Sequence, residues 1–95
     1  MKAVAYNIKP FEREYLAKAN QKKHEITLIS NSLGLDTAVY ADGKEAVIVY
    51  TDENLSADIM SLLGAHGVKF ILTRSAVADH IDKQAAAING IKVIN

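Results

Sequence analysis

Cysteine is absent from the 95 residues, which excludes disulfides, thiolate nucleophiles and sulfur-ligated zinc. A surplus of either charge is absent too, with 11 Lys plus Arg against 11 Asp plus Glu and no long run of one sign. A neutral chain without a basic stripe has little to offer a phosphate backbone, so no nucleic-acid partner is expected. No apolar run approaches the roughly 18 to 20 residues that a membrane span needs. Charged Lys9, Glu12, Arg13 and Glu14 interrupt the opening segment before the apolar core of a signal peptide could form. A soluble, cytoplasmic protein with no membrane partner is the expectation. Glycine is scarce, and Gly34, Gly43, Gly64, Gly67 and Gly90 nowhere make G-x-G-x-x-G after a strand. Gly64-Ala65-His66-Gly67 has the wrong spacing, and neither a P-loop nor a serine-nucleophile elbow occurs. His24, His66 and His80 are scattered, so no metal cluster is expected, and His24 and His66 are expected to be exposed.

What is present reads as one folded domain over residues 1–95, because apolar residues make up 49% of the chain. Residues 2 to 8 predict a first strand that is apolar on both faces, as in a parallel sheet covered by helices. Pro10 suits the first position of a helix, where its missing N–H is not needed. Phe11, Tyr15 and Ala19 then fall on one face, with Glu12, Arg13 and Lys18 toward solvent. Glu25 to Ile29 predicts a second strand. Asp36 or Ser32 is placed to cap a short helix through Tyr40, which Asp42-Gly43 closes. Ala46 to Tyr50, continuously apolar and β-branched, predicts a central third strand.

Ser56 is a helix N-cap, with Leu55 and Met60 as a hydrophobic staple and Ile59, Met60, Leu62 and Leu63 as the buried stripe. Gly64 and Gly67 can end that helix. Val68 to Leu72 predicts a fourth strand, Asp82 caps a last helix over Lys83 to Asn89, Gly90 follows it, and Ile91 to Ile94 predicts a fifth strand. The βα rhythm defines a small α/β sandwich with a parallel five-stranded sheet.

One stretch organises the rest: Lys69-Phe-Ile-Leu-Thr-Arg-Ser-Ala-Val-Ala-Asp-His-Ile-Asp82, a buried strand that breaks into small and polar residues. A polar loop at the carboxyl end of a strand is where open α/β sheets hold ligands. This stretch resembles the corresponding segment of the D-isomer-specific 2-hydroxyacid dehydrogenases, especially the D-lactate, D-2-hydroxyisocaproate and D-2-hydroxyglutarate types. The opening strand and helix and the strand ending at Tyr50 extend the resemblance over the whole chain.

The resemblance implies a flavodoxin-like three-layer sandwich with strand order 2-1-3-4-5. It also implies that Ser75 to Ala78 form a substrate-carboxylate loop, with the backbone N–H groups of Ala76 and Val77 at the contact. Tyr50 would border the substrate side chain. Val77 stands where relatives usually carry glycine, and a β-branched residue tolerates φ > 0 badly. Arg74 can clamp a carboxylate or pair with Asp79 or Asp82, and the structural role is preferred because the arginine here is not catalytic in relatives. His80 likewise matches a structural position.

The implied full-length activity is NAD-dependent oxidation of a D-2-hydroxy acid. Its catalytic arginine and histidine, and its nucleotide site, have no match in this chain. The leading expectation is therefore a truncated substrate-binding domain, not catalytic alone, with no cofactor site of its own. Its 2-hydroxy or 2-oxo acid partner would bind only when a second domain completes the cleft. The alternatives are a stand-alone flavodoxin-like binding or structural module, which could pair as a homodimer, and a folded remnant. A response-regulator receiver is disfavoured: Asn7 and Lys9 follow the first strand in place of a carboxylate pair, although Asp52 follows the third.

Overall fold

A computed structural model describes residues 2–11, 13–14, 25–49, 55–73 and 81–94. Five strands, β1 (Lys2–Ala5), β2 (Glu25–Leu28), β3 (Ala46–Val49), β4 (Phe70–Thr73) and β5 (Lys92–Ile94), form one sheet in the order β2-β1-β3-β4-β5. All pairings are parallel. This is the flavodoxin-like arrangement. The strands are short, of three or four residues each. The pairing of β1 nevertheless continues past Ala5, with Tyr6 N–H donating to Ile48 O at 3.0 Å and Ile8 N–H to Ile29 O at 2.9 Å.

Alternation within the strands separates two faces. On the first, Val4, Val47, Ile71 and Val93 lie side by side in register. Tyr6 and Val49 join them in a core closed by helix α1 (Ala57–Ala65), helix α2 (Lys83–Ile88) and the short 3₁₀ helix Ala38–Ala41. On the second face, Ala5, Ile48, Leu72 and Ile94 share a rung. Its cover thins across the sheet: Ala5 is buried, Ile48 and Leu72 are half-buried, and Ile94 is 38% exposed.

Both helices end in the same way. After α1, Gly67 takes φ +94°, Gly67 N–H donates to Gly64 O at 3.1 Å and Val68 N–H to Leu63 O at 3.0 Å. After α2, Gly90 takes φ +71°, Gly90 N–H donates to Ala87 O at 3.1 Å and Ile91 N–H to Ala86 O at 2.8 Å. These paired bonds satisfy carbonyls that would otherwise be orphaned, and Val68, Leu63, Ile91 and Ala86 beside them are all buried. Gly67 is thus the terminator. Gly64 lies inside α1, where an added Cβ would stand 3.2 Å from the Asn89 Cβ; its smallness lets the end of α2 approach.

Four expectations are corrected in detail. Asp36 and Ser32 do not cap the 3₁₀ helix. Thr37 holds that position, and its hydroxyl turns back instead, donating to Ser32 O at 2.8 Å and accepting from Gly34 N–H at 2.8 Å. Phe11 is 76% exposed rather than on a buried face. Tyr15 and Ala19 lie outside the described residues. Ser56 sits at the N-cap of α1 without a hydroxyl bond to the helix, whereas Asp82 Oδ1 accepts from Ala85 N–H at 2.9 Å as a full cap of α2. His66 is half-buried, its Nδ1 3.1 Å from Asp42 Oδ1, and so is not a free surface ring. Leu55 and Met60 are both fully buried, as the staple requires.

Candidate functional site

In a parallel sheet every strand points the same way, so the ends of β1, β3 and β4 reach one carboxyl rim. Strand order reverses between β1 and β3, and the crevice outside the carboxyl ends at such a switch point is where α/β sheets take ligands. On the β1 side of this crevice the chain is described from Tyr6 to Phe11. Asn7 is buried and holds φ +57°, alone among described non-glycine residues in a left-handed conformation. Asparagine tolerates that region best after glycine, at a cost of order 1 kcal/mol. The bend lets Asn7 N–H donate to Asn31 O at 2.8 Å, tying the end of β1 to the chain beyond β2. Its carboxamide Oδ1 accepts from Lys9 Nζ at 3.1 Å.

Beneath the rim, the fully buried Tyr6 hydroxyl donates to Thr37 O at 2.7 Å. Burial, with a smaller contribution from Tyr40, pushes the Tyr6 phenol up to about 12. It remains a neutral donor and anchors the 32–37 turn to β1. Across the rim, the residues just ahead of α1 and α2 lie together. Leu55 and Ile81 form an isolated parallel bridge, and Asp82 N–H donates to Leu55 O at 3.0 Å.

Tyr50, Ala76 and Val77 lie outside the described residues, as do Asp52, Arg74, Asp79 and His80. The described framework brings the strands that carry Tyr50 and the 75–78 loop next to each other, with Val49 opposite Thr73. Sequence reasoning passed over Asn7 and Lys9 as rim residues. The available signal was an asparagine directly after an apolar strand, a residue type suited to positive φ.

A dinucleotide needs glycine at a strand-to-helix turn, so that backbone can approach the pyrophosphate. Here Gly43, Gly67 and Gly90 all precede strands, at the opposite rim, Gly64 packs inside a helix and Gly34 sits in the turn closed by Thr37. These residues do not fit a dinucleotide site. Among the described residues, no group of three or more His, Asp or Glu could hold a metal, and no helix is long and apolar enough to cross a membrane.

A parallel sheet with its switch point between β1 and β3 defines a class of doubly wound α/β fold, and comparison with known proteins narrows it. Residues 3–95 match the family described as D-isomer specific 2-hydroxyacid dehydrogenase, catalytic domain, and the chain belongs to that family. It is 35% identical over 95 residues to 2-hydroxyacid dehydrogenase homolog 1 of Schizosaccharomyces pombe, covering 99% of this chain and 29% of that protein. The apo-structure of D-lactate dehydrogenase from Escherichia coli superposes with a TM-score of 0.93 at 33% identity, covering 98% of this chain and 30% of that one. D-lactate dehydrogenase with NAD+ from Lactobacillus jensenii shares the fold, with a TM-score of 0.85 at 24% identity over 98% of this chain and 29% of that one. The chain therefore spans under a third of the length of these relatives and corresponds to their amino-terminal domain.

Proposed function

We propose that this chain forms the substrate wall of an NAD-dependent D-2-hydroxyacid dehydrogenase of the D-lactate type, and that hydride transfer requires a nucleotide-binding domain beyond these residues. The observation that carries this reading is the shared carboxyl rim of β1, β3 and β4 in a chain whose residues 3–95 match the family. In this reading the backbone N–H groups of Ala76 and Val77 receive the acid group of a 2-oxo or 2-hydroxy acid. Amide dipoles suit that task, because they orient without the conformational cost of a long charged side chain. Tyr50 borders the substituent on C2. Val77 limits how closely an anion approaches if its backbone must adopt positive φ. The chain's own contribution is binding and orientation; nothing in it moves a hydride.

Titrating the chain with pyruvate and, separately, with NAD tests this. Pyruvate should shift the amide resonances of residues 75–78 at millimolar concentration, and NAD should give no saturable response. Measurable NAD affinity would overturn the assignment of the cofactor site to another domain.

A second reading is favoured by one observation, the thinning cover over Ile48, Leu72 and Ile94. In that reading the chain acts as a stand-alone binding module and pairs with a second copy. Sedimentation equilibrium decides it: a dimeric mass at micromolar concentration supports pairing, and a monomer ends it.

A further inference from the structure

We infer that Asn89-Gly90 is a modification site: a pair set to close into a succinimide, held out of reaction by the folded end of α2 and unable, once reacted, to rebuild that end. It lies at the amino rim, away from the rim of the proposed function, and does not depend on that reading. Asn7, Asn20, Asn31 and Asn54 precede Ile, Gln, Ser and Leu, whereas Asn89 precedes glycine. A backbone nitrogen attacks the preceding carboxamide most readily when its own residue has no side chain to crowd the approach and turns freely. Gly90 is exposed and Asn89 half-buried, so solvent meets the pair.

The reaction needs only water. Gly90 N loses its proton to solvent and bonds to Asn89 Cγ; the Cγ–Nδ2 bond breaks and ammonia leaves. Water then opens the ring on either side of the Gly90 nitrogen. One opening restores the ordinary backbone, with aspartate at 89. The other leaves the chain running through the former side chain, an isoaspartate whose main chain is one carbon longer.

The fold blocks the first step in three ways. Ring closure needs the Gly90 nitrogen to eclipse Asn89 Cβ, at strongly negative ψ, whereas Asn89 holds ψ 9° and turns that nitrogen away. The Gly90 N–H is committed to Ala87 O at 3.1 Å. The carboxamide is tied through Nδ2, which donates to Ala85 O at 2.9 Å. All three restraints go together when the last turn of α2 opens. That turn has little behind it, because α2 is six residues long and leads into a three-residue edge strand.

The same contacts make the change one-way. Either product puts a carboxylate where the amide donated to Ala85 O, setting acceptor against acceptor at the negative end of a helix. Isoaspartate also inserts a backbone carbon ahead of the Gly90 and Ile91 N–H groups, which meet Ala87 O and Ala86 O at 3.1 and 2.8 Å. The disturbance reaches α1, since Asn89 Cβ lies 3.2 Å from where a Cβ on Gly64 would stand.

The test incubates the full chain at mildly alkaline pH, in buffer and in denaturing urea. The tryptic peptide Gln84–Lys92, which contains no other asparagine, is followed by mass spectrometry with fragmentation that separates aspartate from isoaspartate. In urea Asn89 should react well ahead of the other asparagines. In buffer its reaction should be slower by more than about tenfold, and urea below the unfolding transition should already speed it. The purified isoaspartyl chain, returned to buffer, should unfold at lower urea than the unreacted fraction of the same incubation. Equal rates in buffer and in urea overturn the protection by α2. No preference for Asn89 in urea overturns the site itself. An isoaspartyl chain with the urea midpoint of the unreacted fraction overturns the one-way consequence.

Discussion

The two rims of the sheet are built from the same strands by opposite means. At the amino rim, backbone bonds run from turn to turn across the sheet. Glu45 N–H donates to Lys2 O, Lys69 N–H to Glu45 O and Lys92 N–H to Lys69 O, at 2.8, 2.8 and 2.9 Å. Gly43 N–H reaches His66 O at 3.2 Å, and the His66 and Asp42 side chains meet above it. At the carboxyl rim the chain instead spends strain at Asn7 and puts a lysine against it. The contrast teaches where stability and binding are separated: substitutions at the amino rim and the core below it should cost folding free energy, and those at the carboxyl rim should cost affinity.

The largest effect should come from Leu63→Ala. Leu63 is fully buried, and its carbonyl receives the closing bond of the α1 terminus. A loss of about 3 kcal/mol is expected in urea unfolding. A loss under about 1 kcal/mol would mean that this end of the core is loosely packed.

Tyr6 supplies a pH test of the other side. Its folded phenol lies above the unfolded value, at about 12, so the folded state holds the proton more tightly. Its stabilisation is complete below pH 10 and is lost as pH rises from about 10 to about 12, by about 2–3 kcal/mol. Tyr6→Phe should remove that part of the alkaline decline and, by taking away one of the two donors to the Thr37 carbonyl, which keeps the Tyr40 N–H, cost about 1 kcal/mol at neutral pH. Parallel alkaline profiles for the two proteins would show that Tyr6 is not the group concerned.

Gly67→Ala should cost about 1–2 kcal/mol, because φ +94° is strained for any residue with a Cβ although nothing crowds the position. Thermal unfolding would register it, while pyruvate affinity should stay put. The smallest effect on stability is expected for Asn7→Gly, within about 0.5 kcal/mol of wild type, since relief of the backbone offsets the lost carboxamide contact. If this variant proved as damaging to the fold as Leu63→Ala, the division between the rims would collapse.

Much of this architecture was legible in the chain. The apolar runs at Ala3, Ala46 and Phe70 marked buried parallel strands because both faces of each needed cover, and Asp82 with Gly90 marked both ends of α2. The strand order came from the family resemblance, since periodicity carries no information about which neighbours pair. Phe11 was misplaced because helical spacing reports a shared face but not which side of the helix meets the sheet. Asp36 looked like a cap by residue type, yet the Thr37 hydroxyl won by closing the 32–37 turn on itself. The left-handed turn at Asn7 had a local signal in the asparagine itself, but its partner Asn31 lies beyond β2, far along the chain, where no local pattern points to it.

The uneven cover of the second face has a kinetic corollary. Ala5, Ile48, Leu72 and Ile94 form one rung, and shielding falls away along it toward β5. Amide protons on that rung should therefore exchange with solvent in spatial sequence, from the three-residue flank strand inward, rather than all at once. Any surface that closes over Ile94 would erase the gradient, so the exchange pattern itself reports whether this flank is engaged.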